Sequence, residues 1–132
     1  MFKLTRKLEY ALIALSHINK NSNTYSSAKE ISKQYMIPKE LLAKTLQQMR
    51  KLEYIEAIKG PRGGYVLNKK LSSISLTKFI EDLEGPIGLV DCSINDDCLQ
   101  IDQCSIKVPI NKINNNIRSI LSNISLSQIT NC

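Results

Sequence analysis

Within "PKELLAKTLQQMRKLEYIEAIKGPRGGYVL", residues 38–67, the hydrophobic period changes from about 3.6 residues to about two. Leu41, Leu42, Leu46, Met49 and Leu52 share one helical face. The runs "YIEAI" and "YVL" that follow are rich in aromatic and branched side chains, which suit a pleated surface. "GPRGG" between them supplies the glycine and proline of a tight reversal. Few folds run a helix directly into a short hairpin, and the upstream sequence narrows them further.

"KLEYALIALSHI" places Leu8, Ala11, Leu12 and Leu15 on one face of a first helix. In "YSSAKEISKQYMI", Ser27 and Glu30 have capping-box spacing, and Ile31 and Tyr35 continue a buried face. Pro38 keeps this second helix short and fits the first turn of the third. Lys39, Lys44, Gln47, Gln48 and Lys51 are left for the outside of that third helix. Short helix, tight turn around "MI", third helix and hairpin make a winged helix-turn-helix. Lys59 and Arg62 fall at the tip of the wing.

Charge follows the same division. Residues 1–90 hold 15 Lys/Arg and 8 Asp/Glu, a balance of +7, whereas residues 91–132 hold 3 and 4, a balance of −1. A basic front module suits a polyanion, and with this fold the polyanion expected is double-stranded DNA. Lys39, Lys44, Lys59 and Arg62 are the expected DNA contacts, with Ala43 placed to touch a thymine methyl. A solvated lysine-rich surface and a hairpin turn that binds nothing are the bland alternatives. A phosphate-binding loop fits poorly, because no helix follows the glycines.

After the wing, "SLTKFIEDLEG" reads as a short helix with Leu76, Phe79, Ile80 and Leu83 inward and Gly85 as its stop. Further on, Ile106, Ile110, Ile113, Ile117, Ile120, Leu121 and Ile124 recur at three- and four-residue steps, a sustained apolar stripe on one long helix with Pro109 near its start. The first 84 residues already supply a full winged-helix core. The stripe could lie on the chain's own core, but it is expected to pack on a second copy of itself or on another subunit's first helix, giving a homodimer with two recognition helices for a palindromic operator. The sequence thus divides into a DNA-binding part, 1–84, and an arm, 85–132.

The arm opens with "DCSINDDCLQIDQCSIK", where Cys92, Cys98 and Cys104 are evenly spaced with five residues between neighbours. No apolar run reaches the roughly 18 residues of a membrane span, and the N-terminus lacks a small-residue cleavage site, so a cytoplasmic protein with reduced thiols is expected. Zinc sites open with thiols two to four residues apart, which these gaps do not match. Wider gaps let a loop wrap an iron–sulfur cluster. Zinc and unliganded thiols remain the alternatives on the residues alone. No nucleophile stands in register with the lone His17, which reads as a surface or packing residue, so no enzyme is expected.

"KGPRGGYVL", "LEGPIGLVDCS", the C-x5-C-x5-C run and "NISLSQI" resemble the winged-helix iron–sulfur regulators typified by IscR and NsrR, nearly end to end from "KLEYALIAL" to residue 130. The sub-pattern "LEGPI…CS…C…C…INNNIRSIL" is similar to regulators of SUF iron–sulfur assembly operons. The resemblance implies a mainly α fold with a small β-hairpin, a long C-terminal dimerisation helix, and a DNA-binding transcriptional regulator that senses cluster status and controls SUF-type genes. It implies a [2Fe-2S] or [4Fe-4S] cluster on Cys92, Cys98 and Cys104. IscR-like members carry a histidine three residues after the last cysteine, where this chain has Lys107. NsrR-like members use a carboxylate from the partner's first helix, and Glu9 stands at the matching position, with Cys132 the second candidate. A nitric-oxide- or redox-sensing repressor of the same family, and a cluster carrier without DNA binding, are the rival functions.

Overall fold

A computed structural model describes residues 4–61, 63–88 and 105–130. Arg62, Cys92, Cys98, Cys104 and Cys132 lie outside the described residues. In chain order the elements are α1 (Arg6–Lys20), α2 (Ala28–Tyr35), α3 (Lys39–Lys51), β1 (Ile55–Ile58), β2 (Gly64–Leu67), a 3-10 turn (Leu71–Ser73), α4 (Leu76–Glu84), α5 (Lys107–Ser122) and α6 (Leu126–Thr130). The fold class is the expected one, mostly helical with a two-stranded antiparallel hairpin. None of the described helices is long and apolar enough to cross a membrane.

The helices start where local chemistry tells them to. The Thr5 hydroxyl accepts from the Leu8 N–H, Ser27 from Glu30 and Ser75 from Lys78, each at 3.1 Å, so each cap satisfies a donor the helix cannot. Pro38 sits at the N-cap of α3 rather than inside its first turn, a shift of one residue, and has no cap hydrogen bond to offer. Gly85 closes α4 with its N–H on the Glu81 carbonyl.

The chain divides into two units, residues 1–73 with 126–132, and residues 74–125. In the first, α1 buries Leu8, Ala11, Ala14, Leu15 and Ile18. It packs against α3 and β2, while α2 also packs on α3. Ile31, Leu42, Leu46, Met49, Tyr54 and Ile55 complete the core. Each such side chain contributes about 1.5–3 kcal/mol by leaving water, so this cluster carries the unit. Two features were not expected. Helix α6 returns to α1 and the 3-10 turn, burying Leu126 completely and accepting the Ser16 hydroxyl at the Thr130 carbonyl, 3.1 Å. And Ser26 pairs with Tyr65, adding a bridge to the edge of the hairpin.

His17 is neither a surface residue nor a simple packing residue. It is buried, with Nδ1 3.1 Å from the Tyr35 hydroxyl and Nε2 3.3 Å from the Glu30 carboxylate. The two contacts tie α1 to both ends of α2. Tyr35, expected on a buried face, is 36% exposed. It closes the last turn of α2, so its ring covers His17 edge-on, at 5.5 Å between centroids, instead of entering the core.

In the second unit α4 packs on α5. The Thr77 hydroxyl donates to the Arg118 carbonyl at 3.1 Å, Arg118 forms an ion pair with Glu81, and the Leu76 N–H bonds the Ile124 carbonyl at 2.8 Å. Phe79 and Leu83 are buried as expected, whereas Ile80 is only half-buried. Helix α5 spans the range expected of the long helix, yet the one residue it buries is Asn114, whose side-chain amide donates to the Ile87 carbonyl at 3.4 Å. Ile106, Ile113 and Ile120 are exposed at 56, 48 and 62%.

Candidate nucleic-acid interface and metal-ligating residues

Helix α3 is amphipathic by construction. Leu42, Thr45, Leu46 and Met49 are buried, and Lys39, Glu40, Lys44, Gln47, Arg50 and Lys51 are exposed. The Thr45 hydroxyl donates back to the Leu41 carbonyl at 2.9 Å, so its polarity is absorbed within the helix. Met36 adopts the left-handed conformation, φ 55°, and turns the chain from α2 into α3 while Ile37 enters the core. Of the expected DNA contacts, Lys39 and Lys44 are exposed on this helix and Ala43 is half-buried beside them.

The wing is held against the end of α3. The turn from helix to strand passes through Glu53 at φ 66°. Residues just beyond β2 fasten that turn: the Asn68 amide donates to the Glu53 carbonyl at 3.0 Å, the Asn68 N–H to Tyr54, also at 3.0 Å, and the Lys69 ammonium to Leu52 at 3.3 Å. The same ammonium lies 4.6 Å from the centroid of the Tyr54 ring. Lys69 therefore works inside the fold. Sequence reasoning missed both residues, because a polar pair after a strand carries no periodic signal.

At the tip, the glycine pair is required by close approach. A Cβ on Gly63 would stand 2.1 Å from the Ile58 carbonyl oxygen, and one on Gly64 would stand 2.7 Å from Ser26 backbone. These contacts keep the five-residue connection tight and leave Lys59 exposed at the start of the tip. The wing and the outward face of α3 belong to one unit, joined by the Asn68 and Lys69 clamp.

Glu9 lies in the first turn of α1, with its side chain 41% exposed and paired with Arg6 at 3.4 Å. An exposed pair of this kind is weakly held and leaves the carboxylate open to another partner. Among the described residues no group of three or more His, Cys, Asp or Glu could hold a metal. The ligand types the chain offers are nonetheless those of an iron–sulfur cluster: three thiols between residues 88 and 105, with an accessible carboxylate on α1. Lys107 opens α5 and is half-buried, and an ammonium has no lone pair to donate.

The sequence is similar to those of known regulators. NsrR, an HTH-type transcriptional regulator of Bacillus licheniformis, is 32% identical over 130 residues, covering 96% of this chain and 91% of that protein. IscR, an HTH-type transcriptional regulator of Klebsiella pneumoniae, is 27% identical over 130 residues, covering 98% of this chain and 80% of its own. The solved structure of CymR, the global cysteine regulator of B. subtilis, superposes with a TM-score of 0.78, covering 99% of this chain and 98% of that one. At 23% identity it speaks for the fold alone. Residues 4–132 match the family described as Rrf2, iron-dependent transcriptional regulator. The chain is a transcriptional regulator and not an enzyme, and it belongs to the Rrf2 family.

Proposed function

We propose that this regulator binds a palindromic operator in double-stranded DNA as a cytoplasmic homodimer, and that an iron–sulfur cluster, [2Fe-2S] or [4Fe-4S], on Cys92, Cys98 and Cys104 controls its affinity. Its targets are iron–sulfur assembly genes of the SUF type. The observation that carries the proposal is the joining of an outward basic helix face to a clamped wing in one unit. Lys44 and Lys39 engage the duplex from α3, with Ala43 against a base, while Lys59 and Arg62 reach it from the wing. Residues 1–84 are the DNA-binding part and 85–132 carry the cluster loop and dimerisation helix.

The stripe on α5 supports the dimer. Ile106, Ile113 and Ile120 recur every seven residues, as do Ile110, Ile117 and Ile124. A seven-residue apolar repeat is the pattern by which one helix packs along another. Asn114 and Arg118, on the flank of that stripe, hold α5 to its own unit, which leaves Ile106, Ile113 and Ile120 exposed for a second chain.

A bound cluster would supply a centre whose charge and integrity respond to iron supply, oxidant or nitric oxide. The chain's own residues hold and aim it. Three thiolates ligate from one loop, and Glu9 of the partner subunit is the fourth ligand, ahead of Cys132. A carboxylate is a harder donor than thiolate and the weaker of the two for iron. The Glu9 carboxylate also has Arg6 to return to. One observation favours the second reading, a nitric-oxide- or redox-sensing repressor: Lys107 stands where the IscR-like pattern has histidine.

Iron and acid-labile sulfide measured on anaerobically purified protein test the proposal. Both should be present in the parent and lost, with the visible absorption, in Cys98→Ala. A colourless parent that binds promoter DNA with normal affinity would remove the cluster from the account and leave the DNA reading standing.

A further inference from the structure

The outward pole of α3 begins with an acid. At about 100° per residue, Glu40, Lys44, Gln47 and Lys51 lie opposite the buried Leu42, Leu46 and Met49, and all four are exposed. Glu40 occupies the N-terminal end of that row, where the recognition helix of a helix-turn-helix meets base edges. Lys44 follows one turn later, in the order that favours an ion pair, yet none of the ion pairs among the described residues joins the two. Among the described residues the carboxylate has no ion-pair partner. It sits in a module that otherwise presents positive charge, where it would repel phosphate.

A carboxylate only accepts hydrogen bonds. Guanine offers acceptors to the major groove, and adenine sets its amine beside the N7 acceptor, which would repel the second oxygen. Cytosine presents an N4 amine with no such neighbour. We infer that Glu40 is a specificity-determining residue that accepts a hydrogen bond from the exocyclic amine of a cytosine in each half-site. Its charge makes contact with any other edge unfavourable, so it selects by penalty as well as by attraction. This inference rests on the DNA-binding reading above and adds the base that α3 reads.

Selection from a randomised duplex library, with the full chain prepared anaerobically, tests it. The parent should enrich a motif with cytosine at one position per half-site. Glu40→Gln, whose amide both donates and accepts, should move that position toward adenine, with a change in relative affinity of about tenfold. Glu40→Ala should lose preference there and nowhere else. Both variants should bind unselected DNA more tightly than the parent. Identical motifs from all three proteins would overturn the inference and leave Glu40 as an acid that serves only the positive end of its helix. A parent that enriches no motif would overturn the DNA reading itself, and this one with it.

Discussion

Helices α1 and α5 have nearly the same length, 15 and 16 residues, and both carry a stripe of aliphatic side chains. Helix α1 buries five apolar residues and His17, whereas α5 buries a single asparagine. The difference lies in what each helix turns toward its own unit. Helix α1 faces the core with Leu8, Leu15 and Ile18, and its polar contacts, from His17 and Ser16, fasten it to α2 and α6. Helix α5 holds its unit with the polar groups of Asn114 and Arg118, only half-buries Ile110, Ile117 and Leu121, and keeps Ile113 and Ile120 outside, with Ile106 exposed at its N-cap. Isolated exposed apolar residues are ordinary, but a sustained row on one helix marks an interaction surface. The first helix folds the chain, and the fifth keeps exposed the row that the proposed dimer would cover.

That contrast can be broken most severely by changing Ile113 and Ile117 together to Asp. If α5 pairs with a second copy, burying two unpartnered charges costs several kcal/mol. Sedimentation should then show monomer that still melts cooperatively, and a persisting dimer would place the interface elsewhere. Leu15→Ala sharpens the contrast from the other side. It should cost about 2–5 kcal/mol of folding stability in denaturant titration, as a cavity in a packed core does. Ile120→Ala, measured in the monomeric background, should stay within about 0.5 kcal/mol of its parent, because it leaves no cavity. Equal losses at the two positions would erase the distinction. Replacing His17 by Phe keeps the ring and removes both ties to α2, at a cost of about 1 kcal/mol, since Tyr35 and Glu30 can turn to water. A loss of several kcal/mol would show that the ties carry far more of the α1–α2 packing than the core beside them. The smallest expected effect is on DNA: Arg62→Ala should weaken operator binding and flatten its salt dependence by about one ion. Unchanged affinity and slope would remove Arg62 from the contact set.

Much of this fold is legible because it is local. Ser27, Ser75 and Gly85 cap their helices within a turn of themselves, and the wing follows from a change of period and a glycine pair. What the sequence hides is long-range or polar. Ser16 and Thr130 meet across 114 residues, and a five-residue α6 is too short to display a period. The His17 link escapes because a lone histidine on a helix face does not announce which partners the fold will bring to it. Asn68 and Lys69 look like ordinary loop residues until Leu52 and Glu53 present carbonyls to them. Glu40 is concealed by its surroundings, one acid among the lysines that drew attention to α3. For the candidate metal site, the residue types and their spacing are read from the sequence alone, and the three cysteines lie outside the described residues.

In the proposed assembly α5 pairs two chains, and Cys92, Cys98 and Cys104 hold a cluster in each. Native mass spectrometry of anaerobically purified protein tests both at once. The account predicts a dominant species of two chains with the mass of one iron–sulfur cluster per chain, reduced to two bare chains by Cys98→Ala and to single chains by the Ile113 and Ile117 substitutions. Single chains without iron in the parent would contradict it.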